Sequence, residues 1–347
     1  MSNYWIDREK QRLELIDKKI DSHINNLQSR MMQAADNIEN EIMHLYIKYA
    51  EDNNMSYTKA LNYLTNDERK EFQKDLKYYV DTYRDKEKAL FYKKELQALS
   101  TRARVKRLEV LKASILKEAS QLYDFLSNDT YVKLSDILEE SYLYNIYSMH
   151  GAGLSVKFDK PSKNVIEELL KHPWSGSNYS DKVWEKTEVF AKQIDKVMTT
   201  GLVQGKPIDA LVSDMRVAIL GKKGKGGRLY DYKRLVRTEA SFIAEQATMK
   251  SYKDCNIKEY EYLATLDLRT SDKCQDLDGI VFEVEKAVVG VNYPPAHSFC
   301  RSTTVPVVTW DGEDEDTVKR ISRDPDTGYN DLIKDMTYKQ WKKKYVK

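Results

Sequence analysis

The chain is short of cysteine, of long apolar runs and of net charge, and each shortage excludes a class of protein. Three cysteines in 347 residues are an odd and small number, which argues against a disulfide scaffold and makes free thiols the expected state. The 57 basic and 55 acidic residues leave a formal net charge of +2, so the whole molecule has no strong field that would attract nucleic acid. Any basic surface must therefore be local.

No stretch of the sequence approaches the roughly 18 apolar residues that a membrane-spanning helix needs. The start of the chain, MSNYWIDREK, also lacks the apolar core of a signal peptide. We therefore expect a chain that folds in a cytoplasm and has no membrane partner.

Helical patterns dominate the chain before Asn256. Apolar residues recur at alternating steps of three and four from Trp5 to Tyr49, which predicts an amphipathic helix about 65 Å long that ends at Asn53-Asn54. Stripes of this length usually form coiled-coil or bundle seams, so we expect a partner helix in the same chain or self-association through these N-terminal helices. Further helices are predicted over 56–83 in two parts, 87–126, 131–149, 163–171, 181–202 capped by Ser180, 207–220 opened by Pro207, and 229–253.

After Asn256 the apolar period changes from helical to alternating, which indicates short strands with one buried face. The predicted strands are residues 259–266, 280–282 and 303–308. Asp278-Gly279 suits a tight hairpin turn, because both residues tolerate positive φ. We expect a small antiparallel sheet packed on the helix that carries Arg237 and Glu239.

The predicted fold is therefore mainly α, with long N-terminal helices in a coiled coil or bundle, a helical region after them and a small α+β domain near the C-terminus. Glycine and proline between residues 152 and 161 mark the main boundary. The predicted domains are an elongated helical region at 1–151, a helical connector at 152–227, the α+β domain at 228–310 and a tail at 311–347 that is first acidic and then basic.

The residues with distinctive chemistry lie between Tyr262 and Pro306. They occur in the order Asp267-x-Arg269-Thr270, Cys274, Asp278-Gly279, Pro294-Pro295-x-His297 and Cys300-Arg301, after an upstream Arg237-Thr238-Glu239 and a Trp174-Ser175-Gly176 segment. This order resembles the phage head-morphogenesis family, the Mu F-like minor head proteins of tailed phages. The resemblance is specific over 230–306 and looser over 1–180.

The resemblance implies a minor head protein that enters a phage procapsid in few copies, associates with the portal and other head proteins, and influences the packaging or ejection of double-stranded DNA. It implies a location inside the phage head, after assembly in the host cytoplasm. It also marks a structural motif, with no catalytic residue among its members: Arg237, Glu239, Asp267, Arg269, Asp278, Gly279, Pro295, His297 and Arg301.

The charges of this motif allow two interpretations. An enzyme, such as a metal-dependent hydrolase or nuclease, would use Asp267 or Glu239 as a general base with His297 as its partner. A structural protein would instead join Arg237, Glu239, Asp267 and Arg269 in an ion-pair lattice between helix and sheet. The lattice is favoured, because no serine or cysteine nucleophile with a neighbouring oxyanion loop is evident.

Cys274, His297 and Cys300 are of the types that bind zinc, and His297-x-x-Cys300 has a workable spacing. Many relatives in the resembled family carry Cys-x-x-Cys and Cys-Arg-Cys here, whereas this chain has serine at positions 271 and 302. Three ligands complete a tetrahedron only with water or with a carboxylate such as Asp272 or Asp276. The sequence thus favours a packed core without a cofactor, with zinc as the alternative.

Two lysine clusters are candidates for DNA contact. Lys222, Lys223 and Lys225 lie in a glycine-rich loop whose order is wrong for a nucleotide P-loop, so a flexible hinge is favoured there. Near the C-terminus, three lysines interleaved with aromatic residues could neutralise phosphates while rings stack on bases: Lys342, Lys343 and Lys344. A solvated helical terminus is the favoured explanation, and a nonspecific DNA-binding protein is the alternative.

Overall fold

The computed structural model describes residues 3–52, 54, 56, 107–152, 161, 163–203, 206, 208–222, 226–308, 319–323 and 330–334. The chain forms two compact units, and neither is continuous in sequence. The first takes its described residues from Met1–His23, Tyr131–Tyr179 and Arg234–Lys347, and the second takes them from Ile24–Thr130 and Ser180–Lys233. The predicted domains, with boundaries at 151, 227 and 310, are each one continuous stretch of sequence. The two units differ from them in kind, because the long helices that begin at Asn3 and Gly227 each contribute to both units.

Helix α1 spans Asn3–Asp52, and this confirms the long N-terminal helix that the apolar period predicted. Asn54 has a positive φ of 50°, and its N–H bonds the carbonyl of Glu51, so a left-handed asparagine follows the helix end. The apolar stripe is buried within the chain itself, which favours partner helices from the same chain. Its most buried members, at 7% exposed or less, include Ile16, Ile20, Ile24, Leu27, Met31, Ile38 and Ile42.

Helix α2 (Arg107–Asp124) continues without a break into α3 (Thr130–Gly151) through one π-helical turn at Phe125–Asp129. The prediction of two helices, ending at 126 and starting again at 131, was therefore wrong. Apolar spacing did not reveal this, because the π turn widens the hydrogen-bonding step while the backbone stays helical. The helices predicted over 56–83 lie outside the described residues, apart from Ser56, as does the part of the 87–126 helix before Arg107.

Four more helices occur where the sequence predicted them: α4 (Lys163–Lys171), α5 (Tyr179–Val203), α6 (Ile208–Leu220) and α7 (Gly227–Asp254). Ser180 lies inside α5 and does not cap it, because α5 begins one residue earlier. Pro207 lies outside the described residues. Among the helices that the structure describes, none is both long enough and apolar enough to cross a membrane.

Strands β1 (Glu259–Leu263), β2 (Val281–Glu283) and β3 (Thr303–Pro306) form the predicted antiparallel sheet, in the order β2-β1-β3. In the central strand, Tyr260 and Tyr262 share one face and both are fully buried. The ring of Tyr260 stacks on Tyr252 of α7, with 6.5 Å between the ring centroids. Alternating residues therefore identified the buried face, and the sheet packs on α7 as expected.

A second antiparallel sheet pairs β4 (Lys319–Arg323) with β5 (Asn330–Lys334). The sequence predicted turn residues at 323–328 but no strand on either side. The strands KRISR and NDLIK are mostly polar, so they lack the alternating apolar pattern on which strand prediction depends.

Between β1 and β2 the chain forms a short helix, α8 (Asp272–Leu277), which the sequence did not predict. Asp278 and Gly279 follow it, with φ of −57° and 75°, and the N–H of Ile280 bonds the carbonyl of Leu277. These angles describe a type II turn. The sequence predicted that this turn joins two strands of a hairpin, and this was wrong, because the turn joins α8 to β2. A glycine with positive φ suits the end of a helix as well as a hairpin, so the residue types did not distinguish the two.

A buried guanidinium joins α1, α7 and β3 within the first unit. Arg12 is 1% exposed, and its Nη2 donates to Oε1 of Glu9 at 2.5 Å and to Oε1 of Glu245 at 2.8 Å. The same Nη2 lies 3.1 Å from the hydroxyl of Thr303, which donates to Glu245 at 2.9 Å. One cation thus bonds two buried carboxylates on different elements.

Replacing Arg12 with methionine is expected to lower the free energy of unfolding by about 3 to 5 kcal/mol, because two buried carboxylates lose their cation. The matched control is Lys18→Met, which removes an exposed cation from the same helix and is expected to change stability by less than about 0.5 kcal/mol. Urea unfolding followed by circular dichroism measures both. Equal stability of the two variants would contradict the role given to Arg12.

Glu9 and Glu245 together carry one more charge than the guanidinium of Arg12. We therefore expect the stability of this cluster to depend on pH. Burial raises the pKa of Glu245 to about 7, opposed by Arg12 and assisted by repulsion from Glu9. The Oε2 atom of Glu245 has no hydrogen-bond partner among the described residues, so no hydrogen bond stabilises a negative charge on this oxygen. Because the folded pKa lies above the unfolded value, this stabilisation is complete below about pH 4.5 and is lost as the pH rises through about 7.

The stability of the native chain minus that of Glu245→Gln should therefore fall between about pH 4.5 and 7, by at most about 1.4 kcal/mol per pH unit. Urea titrations across this range give the difference directly. A difference that stays constant with pH would show that Glu245 does not take up the proton.

Candidate functional site

The Asp267-x-Arg269-Thr270 segment follows β1 and forms a turn around the Asp267 side chain. Oδ1 of Asp267 accepts a hydrogen bond from the N–H of Arg269 at 2.9 Å and from the hydroxyl of Thr270 at 3.1 Å. This is an Asx turn, in which a side-chain oxygen takes the place of a backbone acceptor. Arg269 itself is exposed and contributes its main chain to the turn.

Asp267 forms an ion pair with Arg301, which lies two residues before β3. Nη2 of Arg301 donates to Oδ1 at 2.7 Å, and Nη1 donates to Oδ2 in a parallel bond. The whole of Asp267 is 3% exposed, whereas the side chain of Arg301 is 32% exposed. This two-pronged pair connects the loop after β1 to the segment that enters the neighbouring strand.

The ion pair also sets the protonation of the carboxyl group. Burial raises the pKa of Asp267, but the Arg301 guanidinium and the hydrogen bonds of the turn outweigh it, and the pKa lies below its usual value. A carboxylate with a lowered pKa is a weak general base. The geometry therefore disfavours the general-base role that the sequence left open for Asp267.

The predicted charge lattice identified the buried carboxylate and not its partner. It placed Asp267 against Arg269 or the charges of α7, whereas the partner found is Arg301, 34 positions away along the chain. Arg237 of α7 pairs with Asp21 of α1, and these side chains are 36% and 58% exposed. Such an exposed pair contributes about 1 kcal/mol at most.

Glu239 of α7 anchors the Trp174-Ser175-Gly176 segment. Its Oε2 accepts a hydrogen bond from Nε1 of Trp174 at 3.2 Å. The indole ring also stacks on Phe242, with 4.9 Å between ring centroids and 10° between their planes. Gly176 has φ of 95°, a conformation that favours glycine. Two separate sequence motifs therefore meet on α7.

The same helix holds the turn between His297 and Cys300. The hydroxyl of Thr238 accepts from the N–H of Phe299 at 3.2 Å, and the hydroxyl of Ser241 donates to the carbonyl of Cys300 at 3.4 Å. Phe299 has a positive φ of 59°, which costs energy for a residue with a side chain, so these bonds hold a strained turn. Sequence reasoning quoted Thr238 within Arg237-Thr238-Glu239 but assigned it no role.

The remaining motif residues shape the loops around the sheet. Oδ1 of Asp278 accepts from the N–H of Ala264 at 2.9 Å, and the N–H of Gly279 donates to the carbonyl of Tyr262 at 2.8 Å. The peptide bond between Pro294 and Pro295 is cis. Asp278 and Gly279 thereby fix the end of α8 against β1.

Cys274, His297 and Cys300 come together, as their residue types led the sequence analysis to consider. Sγ of Cys274 lies 3.3 Å from Nε2 of His297 and 3.8 Å from Sγ of Cys300. Cys274 is 1% exposed and Cys300 is 5% exposed. A thiol and an imidazole at this distance also have the spacing of a nucleophile and its base, but a substrate cannot reach so buried a sulfur.

Hydrogen bonds make the two sulfurs unequal. The thiol of Cys300 donates to Cys274, and together with the hydroxyls of Ser271, Ser302 and Tyr262 this lowers the pKa of Cys274 to about 4. The pKa of Cys300 is raised, because its proton bonds the neighbouring sulfur and because the group is buried.

The carboxylates considered as a fourth metal ligand do not join this cluster. Asp272 and Asp276 of α8 are exposed, and the described residues that can hold a metal here are two cysteines and one histidine. Cys255 lies apart and is partly buried, and burial raises the pKa of its thiol to about 11.

Of the six lysines predicted as DNA contacts, the structure describes one. Lys222 is exposed, whereas Lys223, Lys225, Lys342, Lys343 and Lys344 lie outside the described residues. Direct DNA contact by these residues remains a prediction.

A cavity of about 540 Å³ lies within the second unit. It is lined largely by polar side chains of α1, α2 and the π-helical turn, including Arg30, Asn37 and Glu118. Burial raises the pKa of Glu118, which accepts a hydrogen bond from Asn37 at 3.0 Å. These side chains include no cysteine or histidine that would bind a metal, so the candidate site is assigned to the α7 and sheet region.

Arg301→Ala is expected to lower the free energy of unfolding by about 2 to 3 kcal/mol, because it leaves the buried Asp267 carboxylate without its cation. The partial exposure of Arg301 keeps the loss below that of a fully buried pair. Arg269→Ala is the control, since it removes an exposed guanidinium from the same turn and should cost less than about 0.5 kcal/mol. Chemical unfolding distinguishes the two, and equal losses would refute the pairing.

A comparison with known proteins supports the family resemblance that was described from the sequence motifs. The family described as phage Mu protein F like protein matches residues 192–305, which include α7, the three-stranded sheet and the cysteine–histidine cluster. No curated protein and no solved structure matches the chain. The match supports a phage head-morphogenesis family for residues 192–305, the region to which the motifs had pointed.

Proposed function

We propose that the chain is a minor head protein of a tailed phage, which enters the procapsid in few copies, contacts the portal, and influences the packaging or ejection of double-stranded DNA. The observation that carries this proposal is the family match over residues 192–305. On this proposal the protein lies inside the phage head, after assembly in the host cytoplasm.

The geometry of the matched region suits a protein that docks. Its loops are fixed by the Asp267–Arg301 pair and by hydrogen bonds from Thr238 and Glu239 of α7. The buried sulfur of Cys274 and the weakly basic carboxylate of Asp267 do not offer an accessible catalytic pair. These features favour a structural role over the hydrolase or nuclease alternative.

An exposed apolar surface on this region is the proposed contact with the partner. Five exposed large apolar side chains lie between residues 268 and 291: Leu268, Ile280, Val281, Val288 and Val291. Val288 and Val291, at 54% and 61% exposed, lie on a loop that Asn292 closes through bonds to the N–H of Val288 and the carbonyl of Lys286. Apolar groups held outward on an ordered loop are typical of a binding surface.

The test is to purify procapsids and virions and to count this chain and the portal protein in each by quantitative mass spectrometry. We expect the chain in few copies per head, and its loss from heads assembled without the portal. Heads of normal composition that lack the chain altogether would overturn the proposed function.

A double variant, Val288→Glu with Val291→Glu, examines the proposed surface. Burying charge at an interface costs more than about 1.4 kcal/mol, so incorporation into procapsids should fall at least about tenfold. Val132→Glu, which adds the same charge at an exposed valine of α3, is the control and should be incorporated normally. Normal incorporation of the double variant would show that the partner binds elsewhere.

A further inference from the structure

We propose that Cys274, His297 and Cys300 bind one zinc ion, with a water molecule as the fourth ligand, and that this ion fixes the loops around β1. The inference is separate from the proposed function, because a head protein can dock with or without a metal. It is carried by the arrangement of three ligand atoms that come from two distant parts of the chain.

Two of the three separations between these atoms match the edges of a zinc tetrahedron. With Zn–S bonds of about 2.3 Å and Zn–N bonds of about 2.0 Å, tetrahedral angles place two sulfurs about 3.8 Å apart and a sulfur and a nitrogen about 3.5 Å apart. The observed distances are 3.8 Å between the Sγ atoms and 3.3 Å from Sγ of Cys274 to Nε2 of His297. All three ligand atoms lie within 4.8 Å of one another.

The imidazole of His297 is oriented as a metal ligand. Its Nδ1 lies 2.8 Å from the carbonyl of Ser298, so this nitrogen is the donor and carries the proton. Nε2 then has a free electron pair, and it is the atom that faces Cys274. Zinc-bound histidines typically donate their second ring nitrogen to a carbonyl or carboxylate in this way.

The surroundings hold the ligands in place. Thr238 and Ser241 of α7 fix the turn that carries His297 and Cys300, and Ser271 caps α8 by accepting from the N–H of Cys274 at 3.3 Å. The two sulfurs lie in a small apolar cluster with Tyr262, Ala264, Leu277, Phe282 and Ala296. Ligands that are held in place before the metal arrives bind it with little reorganisation.

Ligand chemistry selects zinc and leaves one position for solvent. Two thiolates and one imidazole suit zinc better than magnesium or calcium, which prefer oxygen ligands. The hydroxyls of Ser271 and Ser302 bond the sulfur of Cys274, so polar groups lie beside this ligand. Among the described residues no carboxylate joins the cluster, and water therefore completes the tetrahedron.

The first experiment measures zinc in the full chain, purified under reducing conditions from cells supplied with zinc. We expect one zinc per chain by inductively coupled plasma mass spectrometry. After removal of zinc by a chelator, cobalt(II) should restore a one-to-one complex with the absorption bands of tetrahedral thiolate coordination. A reduced, folded chain that binds neither zinc nor cobalt at one equivalent would overturn the proposal.

Ligand variants locate the ion. Loss of a residue that only hydrogen-bonds a metal ligand weakens metal binding by about 10- to 100-fold. Cys300→Ser and His297→Ala each remove a ligand itself, so each should weaken zinc binding by more than that. Cys255→Ser is the matched control, because this cysteine lies outside the cluster, and it should keep one tightly bound zinc. Full zinc affinity in both ligand variants would place the ion elsewhere and refute the site.

A gain-of-ligand variant keeps the test valid even if the ligand variants fold poorly. Ser302→Cys places a third sulfur beside Cys274, so it should displace the water and bind zinc at least about tenfold more tightly than the native chain. The charge-transfer absorption of the cobalt complex should become more intense, because one more thiolate binds the metal. No gain in affinity and no spectral change in Ser302→Cys would contradict the open fourth position.

Discussion

The buried carboxylate of Asp267 is the constraint on which the C-terminal region depends. A charge that is 3% exposed must be compensated, and the fold does so with the guanidinium of Arg301, the N–H of Arg269 and the hydroxyl of Thr270. These contacts close the turn after β1 and fix it to the segment that leads into β3. The turn between His297 and Cys300 ends next to Arg301, so the same pair also limits the movement of the cysteine–histidine cluster.

Helix α7 supplies the second constraint, since several motifs attach to it at separate positions along its length. Thr238 holds the turn before Cys300, Glu239 holds Trp174, and Glu245 shares the guanidinium of Arg12 with α1. Tyr293 donates to the carbonyl of Glu245 at 2.7 Å and so fastens the loop that exposes the two valines. Contacts to one helix therefore hold several loops of the first unit, and α7 itself lies within the residues 192–305 that match the phage head family.

The sequence predicted those parts of the fold that depend on local periodicity, and it failed where distant residues meet. The stripe of α1 and the alternation of Tyr260 and Tyr262 follow from helical and strand geometry. The partner of Asp267 and the role of Thr238 could not be predicted, because no local pattern links residues 34 or 61 positions apart. Cys274, His297 and Cys300 were identified as a set by residue type and by the His297-x-x-Cys300 spacing, but their distances needed the structure.

The central claim is that Asp267 and Arg301 stabilise this region by acting on each other. A double-mutant cycle of Asp267→Ala and Arg301→Ala, with stability taken from urea unfolding, tests it most directly. We expect a coupling energy of about 2 kcal/mol, within the range of about 0.5 to 3 kcal/mol found for residues in one hydrogen-bonded network. Losses that add to within about 0.5 kcal/mol would contradict it, since independent sites behave in that way.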